Sequence, residues 1–552
     1  MSHYGMSNQK TTAGNFAAKA SYFEKKLKEL QALREKRIDL GAERGVTDEV
    51  MAAELAKVDA EIAAIVSQVE GDQGTGREDY YHKSGNDTLA SGIAGPLAGK
   101  LGLGEHPQDG DYLALFRGIN PRTGEAFLDE KRQKAIDKAI QEAESKKANP
   151  SSKKQLDAGD LERLEKDGKE KSAKDPVLGF SSCVSLQKSV SIYWAQADDQ
   201  TRRVIQECMM GAVNDAIERE HRTGRIRGRE GAQGAESVTG ECVTLTYAHC
   251  TARRAPGQEF PDPQLHVHLE RPNFVRTVDG KFLTLDAGWL YKTQKEFGAV
   301  FDVAFFQRLQ AQLPELASAM VVDWSGHGLR LNDASVSKEL VAEFSKRSEQ
   351  IQAEKMTMAT SGQAAAQAIA VRSRDAKDIE LGDSLDGHWR QTIPTVELKA
   401  STAKDLQAPS LAELQRMVFR GSTVIDEFAI DSAAAHLTIG KGGLDEIEAT
   451  KSEIFKQLGL IEIPQQPNEN GHMSPKRYTT KELITLEADC LKSVYAGLDD
   501  PRWNVDRALV DRVIDAYENE KQLIKKTGEK PFRLSQEQRQ AAYDLTGPGQ
   551  YT

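Results

Sequence analysis

DPQLHVHLERPN, Asp262 to Asn273, is the stretch on which the reading of this chain turns. Leu265 to Val275 reads as a strand, and on a strand residues i and i+2 point to the same face. His266 and His268 therefore project side by side, at a spacing suited to one metal ion. The preceding segment, Cys242 to Tyr247, alternates as a half-buried strand and runs on into His249 (LTYAH). If the two strands pair, His249 completes a three-histidine site. Three neutral imidazoles leave coordination positions open for water and phosphate oxygens, as a catalytic metal requires. An HxH pair taken alone fits two surface histidines equally well, because the pattern is short.

Around this stretch, residues 177–310 alternate between the two periodicities. Val177 to Val184 suits a strand, Val190 to Glu220 a helix, Phe282 to Leu285 a third strand of the region, and Trp289 to Leu313 a helix. Strands joined by short links and separated by helices predict an α+β domain, with an antiparallel sheet and helices packed on one face.

Further out, residues 16–70 read as two helices in a hairpin. Leu27, Leu30 and Leu33 mark one stripe, and Leu55, Val58, Ile62 and Ile65 the other, with Gly41 and Gly45 in the turn. Residues 144–176 form a charged insertion or linker, whose simplest reading is a solvated face. Residues 335–380 are polar and helical. Helices over 409–418, 429–436 and 443–458, followed by short strands at Leu460–Ile463 and Lys476–Thr479, suggest a small winged-helix-like domain. The expected organisation is a domain over 1–400 with a helical hairpin insertion at 24–77, a winged-helix-like domain over 401–531, and a further segment over 532–552.

Composition narrows the function. With 552 residues, 39% hydrophobic and 28% charged, the chain has the make-up of an ordinary globular protein of several domains. It holds no apolar run long enough for a membrane span, and its polar N-terminal stretch has no apolar signal core, so a cytoplasmic location is expected. Five cysteines, none in a CxxC pair, argue against a disulfide framework or a cysteine zinc site. The net charge of −11 does not suggest DNA binding, so any DNA contact must come from a local basic cluster. No phosphate-binding P-loop or dinucleotide fingerprint is present, and this chain alone should not hydrolyse ATP.

Such a basic cluster runs through REHRTGRIRGR, with Arg219, Arg222, Arg225, Arg227 and Arg229. Guanidinium groups suit phosphate through their planar fork and can stack on bases. Tyr22 (KASYFEKK) and the pair Tyr80 and Tyr81 (EDYYHKSG) are candidate nucleophiles, because a phenol can attack phosphorus to form a phosphotyrosine. Tyrosines are also common packing residues with a polar tip.

These motifs occur in the order of a known family. The chain resembles the TraI/TrwC-type (MobF) conjugative relaxases of the HUH endonuclease superfamily. DPQLHVHLERPN resembles that family's histidine strand, and His249 sits where the first metal histidine is expected. GFSSCVSLQKSVS (Gly179 to Ser191) is similar to the phosphate-side strand and helix start, including Lys188. DGKFLTLD (Asp279 to Asp286), LYK (Leu290 to Lys292), FSKR (Phe344 to Arg347) and VRSRDAK (Val371 to Lys377) also fit, as do ASYFE (Ala20 to Glu24) and DYY (Asp79 to Tyr81) at the two tyrosine positions. RYTTKELITLEADCL (Arg477 to Leu491) and FRLSQEQRQAA (Phe532 to Ala541) resemble the approach to a helicase core, so the sequence is expected to be part of a longer relaxase–helicase.

The resemblance implies a relaxase palm in which His249, His266 and His268 hold one Mg²⁺ or Mn²⁺. It implies a metal-dependent endonuclease and strand transferase: Tyr22 attacks first, Tyr80 or Tyr81 provides the second nucleophile, and a 5′-phosphotyrosine link forms at a plasmid origin of transfer. Lys188 and the arginines would contact DNA. Implied partners are single-stranded origin DNA, a type IV secretion coupling protein and accessory relaxosome proteins. The sequence departs from the family pattern in four places. Ser181 stands where the family usually has an aspartate that orients a histidine and helps deprotonate the tyrosine. RRAPGQEFP lengthens the loop before the histidine strand, the hairpin separates the tyrosine positions, and the first of them is Tyr22-Phe23 instead of a tyrosine pair. Two other readings share these features: a catalytically degenerate relaxase acting as a DNA-binding or secretion-signal module, and a rolling-circle replication initiator.

Overall fold

Among the described residues, nine strands before residue 286 carry the architecture that positions the histidines. In chain order they are β1 (Gln9–Thr12), β2 (Thr88–Ala94), β3 (Val177–Ser185), β4 (Arg227–Glu230), β5 (Glu236–Glu241), β6 (Thr244–Thr251), β7 (Pro263–Pro272), β8 (Val275–Thr277) and β9 (Phe282–Leu285). The computed structural model describes residues 9–12, 88–138, 176–357, 382–465, 475–497, 505–524 and 533–546, without 109, 131, 232, 233, 235, 256, 257, 325–327 and 403–407. The hairpin expected over 24–77, the charged segment over 144–175 and the VRSRDAK motif lie outside the described residues.

Five of the strands form one sheet in the order β1-β3-β7-β6-β2, with every neighbouring pair antiparallel. The histidine strand β7 is thus central. Its alternation gives it two different faces. Leu265, Val267 and Leu269 are fully buried, each contributing roughly 1.5–3 kcal/mol by burial. His266, His268 and Glu270 occupy the other face.

Helices cover the leucine face, as the α+β reading requires. The helix α1 (Lys188–Gln196) lies against β7, and its Ser191 hydroxyl accepts from the Leu265 amide at 3.0 Å. The long helices α2 (Asp199–Arg222) and α3 (Ala287–Gln312) pack on each other. Arg271 joins them to the sheet: it pairs with Glu220 of α2 at 2.6 Å and lies 5.7 Å from the Phe297 ring of α3. The single helix expected over Val190–Glu220 is two helices. Asp198 stops the first and caps the second, accepting from the Thr201 amide at 2.9 Å.

The remaining strands, β4, β5, β8 and β9, close into a small barrel. Ile226, Val275 and Leu285 are buried with Phe180, Cys242 and Leu290. Gly228 sits where a Cβ would fall 2.5 Å from Val275, so only glycine lets the wall close.

The chain divides into two compact units. The first holds the sheet, the barrel and residues 426–454, including the helix Glu427–Thr438. The second gathers residues 421–425, 455–464 and 476–552, with the antiparallel pair Leu460–Ile463 and Arg477–Thr480 and the helices Lys481–Gly497, Arg507–Ile524 and Gln536–Thr546. No helix among the described residues is long and apolar enough to cross a membrane.

Candidate metal centre

The register of the sheet brings the three histidines together. His249 of β6 stands directly opposite His266 of β7, and Tyr247 opposite His268. Directly opposed residues share a face, so all three imidazoles project from the same side. The ring centroids are 5.4 Å apart for His249 and His266, 5.1 Å for His249 and His268, and 5.0 Å for His266 and His268. His249 is fully buried, whereas His266 and His268 are half-buried.

The protonation of one ring is set by the backbone. Nδ1 of His266 lies 2.9 Å from the Gln264 carbonyl. A carbonyl can only accept, so Nδ1 carries the proton and Nε2 presents its lone pair, the arrangement that orients a metal-binding imidazole. Among the described residues, the donor atoms that lie close enough to share one ion are those of Cys183, His266 and His268, and the His249 ring borders them.

Strand β3 contributes to the same face from the other side of β7. Ser185 lies opposite His266, Cys183 opposite His268 and Ser181 opposite Glu270. Sulfur or nitrogen atoms of Cys183, His266 and His268 lie within 4.8 Å of one another. Burial pushes the Cys183 thiol up to about 12; the hydrogen bond with Ser185 opposes that shift and the Glu270 charge adds to it.

One end of the face is closed by the helix Asp111–Phe116. Phe116 passes over Gly179, where a Cβ would fall 2.3 Å from its ring. Tyr112 donates its hydroxyl to Glu270 at 3.4 Å, and the Ser181 hydroxyl donates to the other oxygen of the same carboxylate. Glu270 is fully buried. The serine that replaces the expected acid at position 181 is thus bonded to a carboxylate on the next strand. Sequence reasoning missed Glu270, although HVHLE places it two residues after His268 and so on the same face.

The basic residues divide into two groups. A DNA-facing stripe would expose Arg219 and Arg225, yet both are buried and committed to acids. Arg219 pairs with Glu448 at 2.7 Å. Arg225 pairs with Glu296 at 3.0 Å and with Asp431 at 2.5 Å. The stripe is broken because Arg219 and Arg222 end helix α2, whereas Arg227 and Arg229 belong to β4. Burial raises Glu296 to about 8, with the nearby Asp431 adding to the shift and Arg225 opposing it. Arg227 stacks 4.5 Å from the Trp289 ring. The side chains of Arg222 and Arg229 are 53% and 51% exposed, each beside an acid, and so remain accessible. Lys188 is half-buried and donates to the Pro263 carbonyl at 2.7 Å, fastening the start of β7; burial pulls its ammonium down to about 8 against the opposing charge of Asp262. Tyr22, Tyr80 and Tyr81 lie outside the described residues.

A family model described as TrwC relaxase matches residues 47–396. Solved structures similar to the chain include the conjugative relaxase TrwC in complex with oriT DNA. Its metal-free form is 21% identical with a TM-score of 0.41, covering 57% of this chain and 94% of that one. Its metal-bound form is 22% identical with a TM-score of 0.43, covering 58% of this chain and 93% of that one. A copper-bound form is also similar, at 22% identity and a TM-score of 0.40, covering 57% and 89%. No curated protein matches the chain.

Proposed function

The chain belongs to the TrwC relaxase family, and on that premise we propose that it nicks one strand of plasmid DNA at an origin of transfer and stays attached to the 5′ end. The observation that carries this reading is the placement of His249, His266 and His268 on one sheet face. A divalent ion bound there would polarise the scissile phosphate and offset the charge that builds on its oxygens. The phenol oxygen of Tyr22 bonds to phosphorus as the P–O3′ bond breaks, and the leaving O3′ takes a proton from water, giving a 5′-phosphotyrosine and a free 3′ hydroxyl. The bond energy is kept in the new ester, so Tyr80 or Tyr81 can take part in rejoining.

The phenol must lose its proton, and its ordinary pKa near 10 holds that proton at neutral pH. Ser181 cannot serve as a carboxylate base. Its hydroxyl donates to Glu270, two residues beyond His268 on the same face, and Glu270 is the carboxylate that takes the place of the family's acid as proton acceptor. Single-stranded origin DNA is the substrate, and a type IV coupling protein with relaxosome accessory proteins completes the setting, in the cytoplasm.

The test is to incubate the protein with single-stranded oligonucleotides from its own plasmid, with and without chelator. A covalent protein–DNA adduct that forms only with divalent metal is expected. Absence of any adduct across the origin sequence and a panel of metals would overturn the enzymatic reading.

A further inference from the structure

We propose that Cys183 is a metal ligand beside the three histidines, so that the centre has a sulfur-and-nitrogen donor set and selects a borderline ion such as Zn²⁺ or Co²⁺ over Mg²⁺. The inference rests on the histidine site of the proposed function and deepens it. Three features of the sheet carry it.

First, register places Cys183 directly across from His268 on the metal-site face. Its Cβ therefore stands to one side of His268, as Tyr247 stands to the other. Second, ligand atoms of Cys183, His266 and His268 already lie within 4.8 Å of one another. Ligand atoms around a tetrahedral ion at bond lengths of 2.0–2.3 Å are about 3.3–3.8 Å apart, so the cluster would draw in by about 1–1.5 Å at most to close on an ion. The His249 ring lies 5.1 Å from His268 and 5.4 Å from His266, and borders the same space.

Third, the chemistry of these donors is specific. Mg²⁺ takes oxygen ligands in a strict octahedron and keeps its waters. Imidazole suits zinc, copper, iron and nickel, and thiolate favours softer ions still. Metal binding takes the Cys183 proton into solvent and leaves the sulfur as thiolate; no oxidant or reductant enters. The ion can still reach a phosphate oxygen by expanding to five-coordinate, as zinc centres do during reaction.

Cobalt(II) reports the ligands directly. The whole chain, stripped of metal and loaded with Co²⁺, is expected to show visible ligand-field bands together with a near-ultraviolet thiolate-to-cobalt charge-transfer band. Cys183→Ser should keep the visible bands and lose the charge-transfer band. Zn²⁺ binding to that variant should weaken by at least about tenfold, with Mn²⁺ binding changed less than about twofold, because sulfur matters more to the softer ion.

Visible bands without the charge-transfer band in the unmodified protein would remove Cys183 from the site and leave the histidines in place. A charge-transfer band that survives Cys183→Ser would do the same. No cobalt bands at all in the unmodified protein would sink the histidine site and this proposal together. Alkylation of the unmodified protein covers the case of a variant that fails to fold. Cys183 should be protected from iodoacetamide by Zn²⁺ but not by Mg²⁺, and equal labelling in the two would overturn the assignment.

Discussion

Ser181 and Glu270 stand opposite each other on neighbouring strands, and the serine hydroxyl donates to the buried carboxylate. The pair keeps an acid within one strand of the position where the family carries it. Glu270→Gln preserves shape and removes the charge. Nicking by this variant should fall on the order of 10²–10⁴-fold, the usual contribution of a positioned proton acceptor, while metal binding stays near that of the parent. Adding Ser181→Asp should recover part of the loss by returning a carboxylate to β3. Wild-type adduct formation by Glu270→Gln, measured across pH, would exclude the carboxylate from proton transfer.

Arg225 and the pair Arg222 and Arg229 should separate stability from DNA binding. Arg225 holds Glu296 and Asp431 in a buried cluster, which Lys451 joins at 2.6 Å from Asp431. Removing its charge leaves acids buried against one another, at a cost of about 3–5 kcal/mol. Arg225→Gln should therefore lower the denaturant midpoint sharply. Arg222→Gln with Arg229→Gln should leave the midpoint nearly unchanged and reduce the salt slope of DNA binding by about one for each phosphate that is no longer neutralised. An unchanged slope would mean that these side chains face solvent in the complex as well.

The histidine strand was legible because its period and its chemistry coincide. HVH fixes two imidazoles on one face whatever surrounds them, and LTYAH supplies the third once the strands pair. Glu270 could be read from HVHLE as a neighbour of that site, whereas Cys183 could not. The placement of Cys183 depends on the register of β3 against β7, which local sequence does not specify. The arginine run failed for a related reason. Its spacing resembles a charged stripe, but the break at Gly224 turns the helix end away from β4 and sends Arg219 and Arg225 inward among acids brought by residues far along the chain. The loss of a single helix at Asp198 was signalled by DDQT, a capping sequence inside an otherwise continuous helical pattern.

His436 gives a pH dependence to the first unit. It is buried on the helix Glu427–Thr438, and burial lowers its pKa from 6.5 to about 4; the positive charge of Arg420 acts in the same direction and the hydrogen bond with the Ser432 backbone opposes it. The folded state therefore prefers the neutral ring. The resulting stability is present above 6.5 and is lost as pH falls from 6.5 through about 4. The loss should be on the order of 3 kcal/mol, since each tenfold change in proton affinity is worth about 1.4 kcal/mol. Chemical denaturation at pH 7 and pH 4 should show a smaller drop in His436→Gln than in the parent. Equal drops would assign the acid sensitivity to other groups.

Tyr22 matches the first tyrosine position of the family and is expected to attack first, with Tyr80 or Tyr81 acting second. The face that carries His249, His266 and His268 is closed at its other end by Tyr112 and Phe116, and the attacking phenol is expected to act beside the histidines. The hairpin expected over 24–77 separates Tyr22 from the Tyr80–Tyr81 pair in sequence, so two tyrosines on different segments can serve the two steps of cleavage and rejoining. Tyr22→Phe keeps the ring and removes the attacking oxygen. It should abolish adduct formation on single-stranded origin DNA while leaving DNA affinity within about twofold, because the missing hydroxyl serves the reaction and not uniform binding. Mass spectrometry of the adduct formed by the unmodified protein should place the nucleotide on the peptide containing Tyr22. An adduct on Tyr80 or Tyr81 that persists in Tyr22→Phe would transfer the first step to the pair and leave Tyr22 outside the chemistry, with the histidine centre unaffected.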